Sequence, residues 1–181
     1  MAVVLQTKRL QLRHLCCDDL DAMHAYFGDA ETMRYYPAPY SREFVKHAIE
    51  LNLERYKRYG YGLFGVALKG SGELIGDCGL VWQDLPGGEE LEVGYHFNRA
   101  YWGEGYATEA AKACIDYAFA NAGVDHVISL IRPENGPSRR VAKRNGLQIV
   151  RSLEWKGLWH DVWEISRSVD EPVSPPDVSF G

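Results

Sequence analysis

The sequence has no apolar run approaching the roughly 20 residues that span a bilayer. Its opening stretch, MAVVLQTKRL, lacks the long apolar segment and small-residue cleavage site of a secretory signal. A cytoplasmic protein with no membrane role is therefore expected. Cysteine is scarce as well. Cys16, Cys17, Cys78 and Cys114 include no C-x-x-C pair, which argues against both a disulfide framework and a thiolate metal site. The six histidines show no H-E-x-x-H spacing, and no metal is expected. Basic charge is in deficit too, with 20 Lys and Arg against 25 Asp and Glu. A net charge of −5 excludes a chain whose main task is to coat a nucleic-acid backbone, so nucleic acid is not an expected partner.

What is present is apolar material enough for one core. The 181 residues are 46% hydrophobic and 12% aromatic, which suits a single domain, placed here at residues 1–167. The remainder, 168–181, is proline-rich without a periodic apolar face, a composition that predicts a disordered tail. RLQLRHL alternates as a half-buried first strand, and Asp18 and Asp19 open a short helix through Phe27. SREFVKHAIELNLERYKRYG is a second helix, capped by Ser41, stopped by Gly60, with Phe44, Val45, Ala48, Ile49 and Leu53 on or near its apolar face. YGLFGVAL and GELIGDCGLVW form a hairpin across KGSG, DLPGGEE is a loop, and LEVGYHF is a strand. A long helix, the strand HVISLI, a small helix at SRRVAKRNG and a last strand WHDVWEISR complete the order. Strand, helix, strand, helix in the second half requires a crossover between parallel strands, giving an α/β fold with a mixed sheet and helices on its faces.

The long helix begins unusually. In YWGEGYATEAAKACIDYAFANAG, Ala111, Cys114, Ile115, Ala118 and Phe119 recur at buried-helix spacing and Gly123 stands where the helix should stop. No serine, aspartate or asparagine stands just before the glycines to cap its start. Gly103 and Gly105 instead leave amide N–H groups bare and let another group approach the backbone. An anion such as a pyrophosphate fits, because each charge at a helix N-terminus gains about 0.3–1 kcal/mol and the amides add charge-assisted hydrogen bonds. A glycine turn that only permits close packing is the alternative. The stretch is neither a P-loop nor a complete G-x-G-x-x-G, since Thr108 holds the last position.

WGEGYA resembles the pyrophosphate loop [Q/R]-x-x-G-x-[G/A] of the GNAT superfamily of N-acetyltransferases, with Trp102 in place of the Gln or Arg, Gly105 central and Ala107 last. TKRLQLRHL, ENGPSRRVAKRNGLQIV and GLWHDVWEIS add three ordered segments. Together they resemble the branch containing the ribosomal-protein N-terminal (alanine/serine) acetyltransferases. The resemblance implies a mostly antiparallel sheet with one splayed parallel strand pair, acetyl-CoA as co-substrate, and an amine acceptor. It puts the pyrophosphate on Gly103, Glu104, Gly105, Tyr106, Ala107 and Thr108, and the pantetheine along His96 and Phe97. Asn135 matches a residue aimed at the pantetheine. Ser138 matches one beside the thioester sulfur, where it serves as a catalytic group; by its position it also reads as the N-cap of RRVAKRN, which Gly146 ends. Arg139, Arg140, Lys143 and Arg144 are a solvated face or a seat for the 3′-phosphate. A homodimer is common among relatives.

Amide formation needs a neutral amine. A lysine amine, with a reference pKa of about 10.4, is neutral in about one molecule in 2,500 at pH 7, a deficit of about 4.6 kcal/mol; an α-amino group lacks only about 1 kcal/mol. Glu92, on the strand beside the pantetheine, is the candidate catalytic base, with a polar strand start as its plainer reading. A tyrosine acid used by many relatives would fall at Ala142 and a glutamate used by some at Leu130; both are absent. Catalysis by proximity is the alternative. Tyr35, Tyr36, Tyr59 and Tyr61 are candidates for the acceptor pocket or for core packing. The expected activity is direct acetyl transfer to a primary amine; a non-catalytic acyl-CoA-binding module, or the use of another acyl donor, are the rivals.

Overall fold

A computed structural model describes residues 3–167. The expected tail at 168–181 lies outside the described residues. In chain order the elements are β1 (Val3–Gln6), β2 (Leu10–Arg13), α1 (Leu20–Phe27), α2 (Arg42–Tyr59), β3 (Leu63–Leu68), β4 (Leu74–Leu85), β5 (Gly88–Phe97), α3 (Tyr106–Asn121), β6 (His126–Ile131), α4 (Gly136–Arg144), β7 (Gln148–Trp155) and β8 (Leu158–Ser166). The strands form one sheet in the order β1-β2-β3-β4-β5-β6-β8-β7. All neighbours are antiparallel except β5 and β6.

That one parallel pair decides where a ligand can enter. β4 and β5 stay in register from Gly76–Phe97 to Leu85–Gly88, whereas β5 and β6 share one registered pair, Glu92 with Ile128. Beyond it the strands part, and each leaves backbone donors and acceptors without a ladder partner. This is the splayed pair expected from the resemblance.

Helices cover both faces. Neighbouring residues of β4 point to opposite sides, and Cys78 meets Cys114 of α3 with their sulfurs 3.7 Å apart while Asp77 meets Tyr26 of α1. Ala110, Ala111, Cys114, Ile115 and Ala118 of α3 are all buried, and their small size lets the helix lie close to the sheet. On the other side, Met23, Tyr26, Phe27, Val45 and Ile49 join α1 and α2 in a second cluster.

Helix α2 corrects the expected apolar face. Its buried stripe is Val45, Ile49, Asn52 and Tyr56, while Phe44 is 48% and Leu53 37% exposed. Asn52 goes inside because its Oδ1 accepts from the Leu63 amide at 2.9 Å, joining α2 to the start of β3. Ser41 caps the helix as expected, accepting from the Phe44 amide at 3.2 Å. Three strand readings also change. The expected loop DLPGGEE closes to a tight turn, with β4 reaching Leu85 and β5 starting at Gly88. β1 and β7 are additional edge strands, and register shifts between Val3 and Leu5 and between Ile149 and Arg151 break their alternation.

Candidate active site

A cleft of about 280 Å³ opens beside the end of β5, between it and the heads of α3 and α4. Tyr95, His96 and Phe97 line it from β5, Gly103 and Gly105–Thr108 from the head of α3, Asn135, Pro137 and Ser138 from the head of α4, and Tyr35 and Tyr36 from the segment after α1. Of the sequence-predicted residues, Glu104 lines an open groove on the other side of the glycine loop, together with Lys112, Arg144 and Asn145. Glu92 is not among the residues lining either space.

The glycine loop is shaped for an anion. Gly103 and Gly105 have φ of 86° and 81°, in the left-handed region that residues with a Cβ enter only at a cost. The first helical bond runs from the Glu109 amide to the Gly105 carbonyl at 3.1 Å, so the amides ahead of it have no intrahelical acceptor. The Thr108 Oγ1 is buried in the same turn without a protein hydrogen-bond partner. Bare amides, an orphaned hydroxyl and the cations Arg140 and Arg144 on the cleft wall fit a diphosphate.

Two neighbours hold the loop in place. Arg9, just before β2, donates from Nη1 to the Glu104 carbonyl at 2.9 Å and from Nε to Glu109 Oε2 at 2.7 Å, and its guanidinium lies 4.3 Å from the centre of the Tyr106 ring. Thr7 Oγ1 and the Arg9 amide both donate to Glu109 Oε1, at 2.6 and 2.9 Å. Partial burial alone would push the Glu109 carboxyl up; the hydrogen bonds from Thr7 and Arg9 outweigh it and hold the group below the usual carboxylate range. Trp102 fastens the other end, donating its indole N–H to the Phe97 carbonyl at 2.7 Å. One lone pair of that carbonyl remains for a ligand.

At the head of α4 the structure corrects the expected cap. Asn135, not Ser138, is the N-cap: its Oδ1 accepts from the Ser138 amide at 3.1 Å. Asn135 thus spends its carbonyl on the helix and keeps its amide nitrogen as the end able to donate into the cleft. Ser138 falls one turn inside, where its carbonyl accepts from Tyr95 Oη at 3.1 Å. That bond ties β5 to α4 across the gap. Gly146, with φ of 85°, ends α4 as read from the sequence.

Glu92 stitches the splay itself. Its Oε1 accepts from the Leu130 amide of β6 at 3.0 Å and its Oε2 from Gln83 Nε2 at 2.6 Å. Burial pushes its carboxyl above the usual range, and these two donors only partly offset that. Beside it, His96 Nδ1 lies 3.0 Å from Asp77 Oδ1 and Nε2 lies 2.7 Å from the Tyr36 hydroxyl. Asp77 and the loop-holding pair Arg9 and Glu109 were not legible as site residues. Only the strand register, which sets Asp77 opposite His96, brings the first of them into view. Tyr59 and Tyr61 belong elsewhere, stacked at 5.9 Å and lining a separate groove with Trp82.

Among the described residues, no group of three or more His, Cys, Asp or Glu side chains is placed to hold a metal ion. No helix of the described residues is long and apolar enough to cross a membrane.

Comparison with known proteins agrees with this geometry. The chain is 35% identical over 152 residues to the Bacillus subtilis protein YkkB, covering 82% of this chain and 87% of that one. It is 31% identical over 172 residues to the uncharacterized N-acetyltransferase p20 of Bacillus licheniformis, covering 90% and 94%. Among solved structures it superposes on a GNAT-family acetyltransferase from Bacillus anthracis with a TM-score of 0.73 at 28% identity, covering 88% of this chain and 95% of that one. Residues 9–148 match the model of the acetyltransferase (GNAT) domain, and with the splayed strands and the bare helix head in the expected places, the chain belongs to the GNAT acetyltransferase family.

Proposed function

We propose that the protein transfers the acetyl group of acetyl-CoA to a primary amine, which attacks the thioester directly. The observation that carries this is the anion seat at 103–108, with free amides and the buried, unpartnered Thr108 hydroxyl, at the mouth of the only parted strand pair among the described residues. The diphosphate of the co-substrate would rest there, and its adenylate end would lie toward Lys112, Arg144 and Asn145. The pantetheine would pass between β5 and α4, within reach of the His96 and Phe97 backbone and the Asn135 amide. Ser138 would meet the sulfur and protonate the leaving thiolate.

Glu92 supports the reaction by holding β5 and β6 in their parted arrangement, since both of its carboxylate oxygens already have donors. Thr32, Tyr35 and Tyr36 form the acceptor side. Aromatic rings and hydroxyls there suit an amine borne on a peptide end or a small molecule. Free thiols on Cys78 and Cys114, hydrogen-bonded at 3.7 Å and not joined as a disulfide, fit work in the reducing cytoplasm.

Calorimetric titration with acetyl-CoA, followed by thiol release against peptides and small amines, tests this reading. Binding with release supports it. Binding without release points to the non-catalytic module. Tighter binding of another acyl-CoA would change the donor, and absence of binding removes the loop assignment.

A further inference from the structure

Four side chains from separate parts of the chain form one line of hydrogen bonds ending in the cleft. Tyr26 on α1 donates to Asp77 Oδ2 at 2.8 Å, Asp77 Oδ1 faces His96 Nδ1 at 3.0 Å, and His96 Nε2 faces the Tyr36 hydroxyl at 2.7 Å. Exposure rises along it: Asp77 is fully buried at 0%, the His96 side chain is 18% exposed, and Tyr36 is 38% exposed. Phe27 packs on the imidazole with centroids 4.7 Å apart and fixes its plane.

The partners set the tautomer. A buried carboxylate offers only acceptors, so Nδ1 carries its proton toward Asp77 and Nε2 keeps a lone pair, which receives the Tyr36 O–H. Burial of the hydroxyl end, with the nearby carboxyls of Glu92 and Asp77, holds the Tyr36 phenol above its usual range and keeps it protonated. A purely structural role accounts for less. Asp77 needs donors, and Tyr26 with the imidazole N–H supply them; a second tyrosine on the far nitrogen, at the cleft, adds nothing to that need. The titratable groups facing His96 are Asp77 from β4, whose other oxygen accepts from Tyr26 of α1, Tyr36 and beside it Tyr40 from the following segment, and Glu92 on the same face of β5, while Tyr95, its neighbour in the strand, points to the opposite face.

Resting on the acetyltransferase reading above, we infer that Tyr36 and His96 deprotonate the incoming ammonium. Tyr36 Oη takes a proton from the ammonium while passing its own to His96 Nε2, leaving a neutral amine and an imidazolium held by Asp77. The amine lone pair then forms the C–N bond to the thioester carbon. The C–S bond breaks with its pair on sulfur, Ser138 gives its hydroxyl proton to the thiolate, and the remaining excess proton on nitrogen restores the Ser138 hydroxyl. The imidazolium returns its proton to water by way of Tyr36. Tyr36 is the catalytic residue here, His96 the proton sink and Asp77 a positioning residue.

The test uses n-butylamine as acceptor, an alkylamine comparable to the lysine side chain. Its acetylation is followed from pH 6 to 10 for the wild type, His96→Gln, Tyr36→Phe and Asp77→Asn, with acetyl-CoA affinity measured by calorimetry for each. The expected result is a kcat loss of about 30-fold or more at pH 7 for His96→Gln and Tyr36→Phe, with acetyl-CoA affinity within about threefold. That deficit shrinks toward pH 10, where the free amine supplies itself, since its reference pKa is about 10.4. A packing defect would not be repaired by pH in this way. If Asp77→Asn fails to fold, Tyr36→Phe, on a partly exposed side chain, still decides. Variants that keep kcat within about threefold and retain the wild-type pH profile overturn the inference. So does a wild type that binds acetyl-CoA yet does not accelerate butylamine acetylation. Failure to bind acetyl-CoA sinks the underlying reading instead.

Discussion

Arg9 and Glu109, one hundred positions apart, meet through a 2.7 Å ion pair that holds the head of α3 against the start of β2. Arg9 also donates to the Glu104 carbonyl, so the same side chain fixes both the loop and the first turn that follows it. Glu109→Gln should therefore act on binding before stability. We expect acetyl-CoA affinity to fall about threefold to tenfold and stability to fall by about 1–2 kcal/mol, from weakened charge-assisted bonds. Because the carboxyl sits below its ordinary range in the folded protein, its contribution is present above the unfolded carboxylate range and disappears as pH falls through the folded value. Unfolding curves of wild type and variant should converge in acid, and a gap that persists there would break the account.

Gly105→Val should remove acetyl-CoA binding while leaving the fold standing. A Cβ at this glycine meets only Arg9 Nη2, at an ordinary 3.6 Å, so the space exists; the φ of 81° is what a β-branched residue resists. The backbone should turn its amides away to relieve about 1–3 kcal/mol of strain. Circular dichroism close to wild type with no calorimetric signal is the expected pair of results. Full binding would remove the anion seat from the mechanism.

The glycine loop was legible because bare backbone ahead of a periodic apolar run has few structural uses, and the helix it opens is long. α2 was legible as a helix but not in its facing. Apolarity favours Phe44 and Leu53, whereas the buried Asn52 is chosen by an amide of β3 that no local pattern reveals. Strand β7 escaped for a different reason: its bulge exposes Ile149 and Val150 side by side, at 45% and 50%, and erases the period of two. The Ser138 cap was misplaced by three residues because Asn135 and Ser138 are both good caps, and only the observed bond from the Ser138 amide chooses between them. Asp77 lies inside GELIGDCGLVW, which the sequence marks only as a strand. Its burial depends on Tyr26 and His96 arriving from other elements.

Asn135 has two tasks that substitutions can separate. Asn135→Ala removes the cap, which costs about 1 kcal/mol, and frees the Ser138 segment. Asn135→Asp keeps an acceptor for the Ser138 amide and places a negative charge at a helix N-terminus, so thermal stability should stay near wild type. It loses the amide donor to the cleft. The expected pattern is a lowered Tm with raised KM for acetyl-CoA in Asn135→Ala, but a normal Tm with a comparably raised KM in Asn135→Asp. Normal KM in the aspartate variant would mean that the residue serves only α4.

Glu92 offers the sharpest contrast with Glu109, because its carboxyl is displaced the other way. Burial holds it above its ordinary range, so the folded protein favours the protonated form. Its contribution is then fully present below the unfolded value of about 4.3 and is lost as pH rises through the folded value. Glu92→Gln is neutral at every pH and keeps an oxygen for the Leu130 amide, while the Gln83 amide can turn to present its own oxygen. Urea unfolding at a series of pH values should show the variant losing less stability than wild type as pH rises above the unfolded value of about 4.3. Glu92→Ala should be destabilised throughout by about 1–3 kcal/mol, since it strands the buried Leu130 N–H. Activity separates positioning from proton transfer: a group that only holds β5 and β6 apart should leave kcat within about fivefold in Glu92→Gln and lower it much further in Glu92→Ala. A hundredfold loss in Glu92→Gln, with fold and acetyl-CoA binding intact, would instead make this carboxylate the base and return Tyr36 and His96 to a supporting place.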